Sequence, residues 1–138
     1  MTRAASARAV ARPKTRRADW VPQRQEVIWI NCNPQAGRDM HPFLVLSPVE
    51  FNAATSLVIG LPMTTAAYNA DNPFAIAVGM AAGKKAGKTS YVLCHQPKSF
   101  DWRHRDASPH PLGRLPDAPF SQACAVLDQI VQIAGAKA

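Results

Sequence analysis

Three side chains of complementary chemistry crowd one polar stretch, Asn31–Pro42 (NCNPQAGRDMHP): the Arg38 guanidinium, the Asp39 carboxylate and the His41 imidazole. An imidazole can move protons near neutral pH and a loop on rigid strands is where sites tend to sit, although a single His beside a Pro is more often structural. A second stretch, Lys98–Arg105 (KSFDWRHR), interleaves cations with aromatic rings. That pattern fits stacked single-stranded bases and their phosphates. Trp102 itself reads as core, and Arg103 and Arg105 read as phosphate contacts or as salt-bridged surface. Lys84, Lys85, Lys88, Lys98, Arg103 and Arg105 are opposed locally only by Asp101. Excess cation of this kind suits a polyanion, with a solvated basic face as the competing reading. The Gly83–Gly87 turn lacks the spacing and the following helix of a phosphate-binding P-loop.

These residues need elements to position them. Val27–Ile30 and Phe43–Leu46 are apolar and β-favouring, and Pro34 and Gly37 break the chain between them. The pattern predicts strands over Glu26–Asn31 and Phe43–Leu46 joined by a polar loop. A short helix is expected over Pro48–Thr55, with Ser47 as its N-cap and Pro48 at its first position. A third strand is expected over Leu57–Met63, where Pro62 argues for an edge or a bulge. Thr64–Asn72 reads as turn. Further strands are expected over Phe74–Gly79, Ser90–His95 and Phe100–His104, with a hairpin tip at Gly83–Gly87. Four prolines make Ser108–Pro119 a loop. Apolar residues from Phe120 to Ile133 recur at helical spacing, predicting an amphipathic helix over Pro119–Ala134 that starts near Asp117 or Pro119 and stops at Gly135. Short strands closed by one helix argue for a small, strongly bent β-barrel or sandwich.

At 138 residues the chain fits one domain. No apolar run approaches the ~18 residues that cross a bilayer, so no membrane partner is expected. The Arg-rich amino terminus lacks the apolar core of a secretory signal. The formal charge of +7 is uneven: Arg3, Arg8, Arg12, Lys14, Arg16 and Arg17 all precede the first acidic residue, Asp19. Residues 1–18 therefore read as a disordered basic arm, and residues 19–138 as the folded domain. Cys32, Cys94 and Cys124 fit no metal template. They are expected as free thiols, at least two of them buried. Neither metal nor cofactor is expected.

Several motifs resemble the MazF/PemK toxins of type II toxin–antitoxin pairs. They are Val21-Pro22, Trp29-Ile30-Asn31, Asn33-Pro34-Gln35-Ala36-Gly37, Val45-Leu46-Ser47-Pro48, Met63-Thr64-Thr65, Pro73-Phe74 and, most specifically, Lys98-Ser99-Phe100-Asp101-Trp102-Arg103-His104-Arg105. The likeness runs from about Trp20 to Ile133. Two departures stand out. His41-Pro42 occupies the family's Arg-Pro, and Cys94-His95-Gln96 its Ala-Asp-Gln.

The resemblance implies an SH3-like β-barrel of the CcdB/MazF/Kid kind with a carboxy-terminal helix, and a cytoplasmic homodimer. It implies metal-independent cleavage of single-stranded RNA, in mRNA or tRNA, by attack of the ribose 2′-OH on the adjacent phosphate. The products are a 2′,3′-cyclic phosphate and a 5′-OH. It also implies a MazE-like antitoxin whose acidic tail fills the RNA groove. Carried over residue by residue, it makes His41, Thr64 and Arg38 the catalytic candidates. Gln35, Asp39, Thr65, His95, Lys98, Arg103 and Arg105 become the RNA contacts. His41 has three readings: it serves as acid or base in place of the Arg, it is silent while Arg38 holds the phosphate, or the site is inactive. The alternative function is a CcdB-like gyrase-binding toxin, or an inactive relative that binds antitoxin.

Overall fold

The computed structural model describes residues 19–80 and 87–133. Its elements are β1 (Glu26–Asn31), β2 (Met40–Val45), α1 (Val49–Thr55), β3 (Leu57–Thr64), β4 (Ala75–Met80), β5 (Thr89–Leu93), β6 (Lys98–Asp101), β7 (Ser108–Arg114) and α2 (Asp117–Val131). Short 3-10 turns occupy Pro34–Ala36 and Ala67–Asp71. The basic arm, most of the predicted Gly83–Gly87 tip with Lys84 and Lys85, and Gly135 lie outside the described residues. The helix α2 ends at Val131, short of the predicted stop at Gly135, because Gln132 takes the left-handed conformation.

The strands form one antiparallel sheet in the order β4-β5-β3-β2-β1-β7, with β6 also on β3. β3 is the pivot. One edge pairs with β2, from Phe43–Pro62 to Val45–Gly60. The other edge is shared: Leu57–Gly60 face β6, and Met63 and Thr64 face β5. Two strands can share an edge only if the sheet bends between them, and the result is a mainly β half-barrel with a carboxy-terminal helix. Pro62 therefore lies in an interior strand rather than at an edge, and its ladder with β2 runs without a bulge. Its missing N–H falls at the seam where β3 passes from β6 to β5.

Both faces of this sheet are covered, so side chains that alternate along a strand enter two different cores. Val27, Leu44, Leu61, Met63 and Val92 pack beneath α2 with Leu115 and Ala123. Ile28, Ile30, Phe43, Val45 and Val58 pack on the opposite face around Trp102. The Trp102 indole N–H donates to the Asn52 carbonyl at 2.8 Å, and Trp20 meets its ring edge-on at 5.8 Å. Gln25 fixes the start of α2: its side-chain amide donates to the Leu115 carbonyl at 2.7 Å and to Asp117 Oδ1 at 2.8 Å.

Other boundaries differ from those expected, each for a local reason. β2 starts at Met40 because His41 and Pro42 already pair with Ile30 and Trp29. Pro48, not Ser47, is the N-cap residue of α1; the Ser47 hydroxyl turns inward to donate to Asn52 Oδ1 at 2.6 Å. β4 starts at Ala75, the Phe74 N–H being bound by the Asn72 side chain, and β5 runs Thr89–Leu93, leaving His95 in the turn beyond it. β6 covers Lys98–Asp101 instead of Phe100–His104, because the Asp101 carboxylate accepts the Arg103 and His104 N–H groups and turns the chain. The proline-rich segment is partly strand β7. Pro109 and Pro111 point outward on an edge strand while Ser108 and His110 point inward, an arrangement that tolerates proline. Of the three free thiols only Cys94 is fully buried; Cys32 and Cys124 are half-buried.

Two outcomes follow. A Cβ on Gly60 would lie 2.0 Å from the Leu44 carbonyl oxygen and 2.7 Å from Phe43 Cε2. Because the nearer atom is backbone, Gly60→Ala should cost about 3 kcal/mol or more in chemical denaturation, at or above the usual overpacking range. His110 is buried against Trp29, with ring centroids 4.4 Å apart, and its Nδ1 accepts the Leu112 N–H. Burial pushes its pKa down from 6.5 to about 4. Between those values the unfolded chain binds the proton and the folded chain does not, so this contribution is intact above pH 6.5 and lost as pH falls towards about 4. Thermal melts across that window should fall more steeply for wild type than for His110→Phe.

Candidate active site

The Asn31–Pro42 loop is held by one side chain. Asn31 Oδ1 accepts the Asn33 N–H at 3.2 Å and the Asp39 N–H at 3.1 Å, and its amide donates to the Gly37 carbonyl at 2.9 Å. The Cys32 N–H closes the neck onto the Asp39 carbonyl at 2.9 Å. Asn favours such bonds to nearby backbone, which bend the chain out of a strand into a turn. Gly37, at φ 98, takes the conformation a side chain would resist.

Arg105 braces the same neck from outside. Its guanidinium donates to the carbonyls of Asn31 and Cys32 at 3.0 and 3.1 Å, and the Asn31 N–H donates to its carbonyl at 2.9 Å. The guanidinium also lies 4.6 Å from the Phe100 ring centroid. Arg38 reaches the same segment through Asp106 at 2.7 Å, an exposed pair worth little stability but enough to bias where Arg38 points. The turn after β6 thus positions the loop after β1.

His41 stands opposite Ile30, and its Nε2 lies 2.9 Å from Asp39 Oδ1, both side chains half-exposed. Thr64 stands at the end of β3. Extending the β2–β3 register two residues past Phe43–Pro62 brings His41 level with Thr64, where β3 has turned to pair with Tyr91 of β5. The Thr64 hydroxyl oxygen accepts the Ala66 N–H at 3.2 Å, leaving its proton free to donate. A cleft of about 440 Å³ opens beside it, lined by Thr64, Thr65, Lys88, Thr89 and Tyr91 among others. A second hollow of about 370 Å³ is lined by Trp29, Arg38, Met40 and Ser108.

The remaining candidates divide by position. Lys98 faces Gly60 across β3. Burial, then the Asp39 carboxylate, push the Cys32 thiol up, while Arg105 and Lys98 pull it down, so these groups share one electrostatic neighbourhood. Gln35 is exposed on the 3-10 turn. His95 stacks on Phe74 at 5.3 Å, with its Nδ1 buried and without a hydrogen-bond partner. Arg103 is set apart. It lies over Trp102 at 4.2 Å and binds the Ser56 hydroxyl, at the opposite end of β3 from Thr64. Eight residues at ~3.3 Å each separate those ends by roughly 26 Å, too far to share one phosphate. Asn31 and Asp106 were missed as site residues. The Asn-x-Asn spacing after a strand signals the first; no local pattern signals the second.

Among the described residues no group of His, Cys, Asp and Glu could hold a metal ion, and no helix is long and apolar enough to cross a membrane. The family model described as "PemK-like, MazF-like toxin of type II toxin-antitoxin system" matches residues 23–131. The "Endoribonuclease toxin MazF" of Escherichia coli K12 is 29% identical over 92 residues, covering 64% of this chain and 77% of its own. The "Endoribonuclease PemK" of Escherichia coli is 27% identical over 115 residues, covering 79% and 81%. The crystal structure of MazF from Deinococcus radiodurans superposes with a TM-score of 0.68 at 30% identity, over 83% of this chain and 100% of that one. A MazE–MazF structure from the same organism also gives 0.68, at 27% identity over 84% and 100%.

Asn31→Ala removes the loop's internal clamp without touching a charged group. The Asn33 and Asp39 amides should then exchange hydrogen at least tenfold faster, while those of β2 and β3 keep their protection. Unchanged exchange at Asp39 would show that the neck alone holds the loop.

Proposed function

Because the chain belongs to the PemK-like, MazF-like toxins of type II toxin–antitoxin systems, an endoribonuclease family, we propose that it cuts single-stranded RNA at the Asn31–Pro42 loop without a metal. What supports this reading is the register that sets His41 of β2 level with Thr64 of β3, beside a cleft and next to the loop that carries Arg38. His41 takes the proton from the ribose 2′-OH. Thr64 donates to a phosphate oxygen as charge builds up, and Lys98 and Arg38 supply positive potential. Trp29, half-buried beside Arg38, offers a ring face to a neighbouring base.

The same reading extends to partners. Relatives have been solved as MazE–MazF complexes, which supports an antitoxin as the natural inhibitor. An acidic tail lying where RNA lies would meet the same cations. The end of α2 and the residues just past it leave Ile130, Val131 and Ile133 exposed beside a hollow lined by Leu46, Phe120 and Leu127. That apolar stripe supports a homodimer, and the family resemblance supports its action in the bacterial cytoplasm.

Purified protein should cleave RNA equally with and without EDTA and leave 2′,3′-cyclic phosphate ends, detected by end-group analysis. Thr64→Val, which keeps shape but removes the donor, should slow cleavage by roughly 10²–10³-fold. Loss of activity on chelation with rescue by a divalent ion would sink the mechanism. No cleavage of any RNA by a protein that still binds antitoxin would leave a non-cutting binder.

A further inference from the structure

The resemblance makes Asp39 an RNA contact, but its carboxylate oxygen lies 2.9 Å from His41 Nε2. Its backbone is pinned on both sides, the N–H by Asn31 Oδ1 and the carbonyl by the Cys32 N–H. A carboxylate held there can only accept, so the proton between the pair sits on Nε2. The His41 ring is thereby left with Nδ1 as its one free basic atom.

Building on the function just proposed, we infer that Asp39 is a positioning residue for His41: it fixes the Nε2–H tautomer and presents Nδ1 as the base that takes the 2′-OH proton. In the step, the 2′-O–P bond forms and the P–O5′ bond breaks. The 2′-OH proton passes to Nδ1, and the leaving 5′ oxygen takes up a proton from solvent. The imidazolium formed is then flanked by the Asp39 carboxylate, which stabilises the charge as it appears. An imidazole in place of a guanidinium needs such a partner, because only the imidazole has two tautomers to choose between.

The other charged groups of this corner are committed differently. Arg38 pairs with Asp106, Arg105 holds the Asn31 and Cys32 carbonyls, and Lys98 and the Cys32 thiol lie at longer range. Among the described residues Asp39 is the one carboxylate bonded to His41.

Nitrogen-15 NMR of the histidine rings in the full-length protein reads the tautomer without any catalysis. At about pH 8, where an ordinary imidazole is neutral, His41 should be Nε2–H in wild type and a tautomer mixture in Asp39→Asn. With a single-stranded RNA oligonucleotide as substrate, Asp39→Asn should lower kcat on the order of 10²-fold with little change in KM, since the wrong tautomer removes the base. Asp39→Glu, which restores a carboxylate that can only accept, should recover part of kcat. An Nδ1–H tautomer in wild type would overturn the inference. So would an Asp39→Asn variant whose tautomer and kcat match wild type, or one in which only KM rises, since Asp39 would then be a binding contact. Wild type that cuts no RNA fails the functional reading itself and takes the catalytic part of this inference with it. An active wild type with a silent Asp39→Asn fails this inference alone.

Discussion

One edge of β3 is claimed by two strands, and the molecule is shaped by how that claim is settled. β6 takes the first half of the edge and β5 the last residues, and the sheet has to fold over at the seam. Gly60, pressed against the Leu44 carbonyl, lets β2 and β3 approach closely just before the bend. Pro62 stands in the bend, where an amide donor is not needed. The chain after β6 is then directed back across β1, which brings Arg105 and Asp106 to the loop they brace. Without the divided edge, the Lys98–Asp106 segment would have no reason to meet the Asn31–Pro42 loop at all.

The bracing explains why basic side chains in one sequence motif do different jobs. Arg105 donates hydrogen bonds to two backbone carbonyls at the neck of the loop. Arg103, two residues earlier, lies against Trp102 and Ser56 at the far end of β3. Charge counting treats the two as equivalent, yet only one touches the Asn31–Pro42 loop. Bonds to backbone fix loop shape, and of the two arginines only Arg105 is committed to them.

Much of this was legible in the sequence. The apolar run Val27–Ile30 gave β1 its full extent, because periodicity and breakers agree there. The helical spacing from Phe120 onward located α2, which opens at Asp117, one of the two starts expected. The Ser108–Pro119 segment failed because a proline count cannot tell an edge strand from a loop: a strand with one unpaired edge has room for prolines. β6 was misplaced because Trp102 and Phe100 favour strands, whereas the Asp101 carboxylate, capping two N–H groups, decides the outcome. The trio Arg38, Asp39 and His41 was visible as a cluster. Its internal pairing was not, since Arg38 finds its partner 68 residues away. Contacts of that range depend on topology, which local pattern does not carry.

The Asn31 clamp grips Asn33, Gly37 and Asp39 through their backbone groups, and uses no side chain between Pro34 and Ala36. The exposed tip is therefore mechanically separate from the neck that holds His41. Mutations at Gln35 or Ala36 can accumulate in a lineage without disturbing the His41–Asp39 pair, and the tip is free to explore new surfaces. A toxin built this way can change what it recognises by small inherited steps, while the geometry that makes it active stays still.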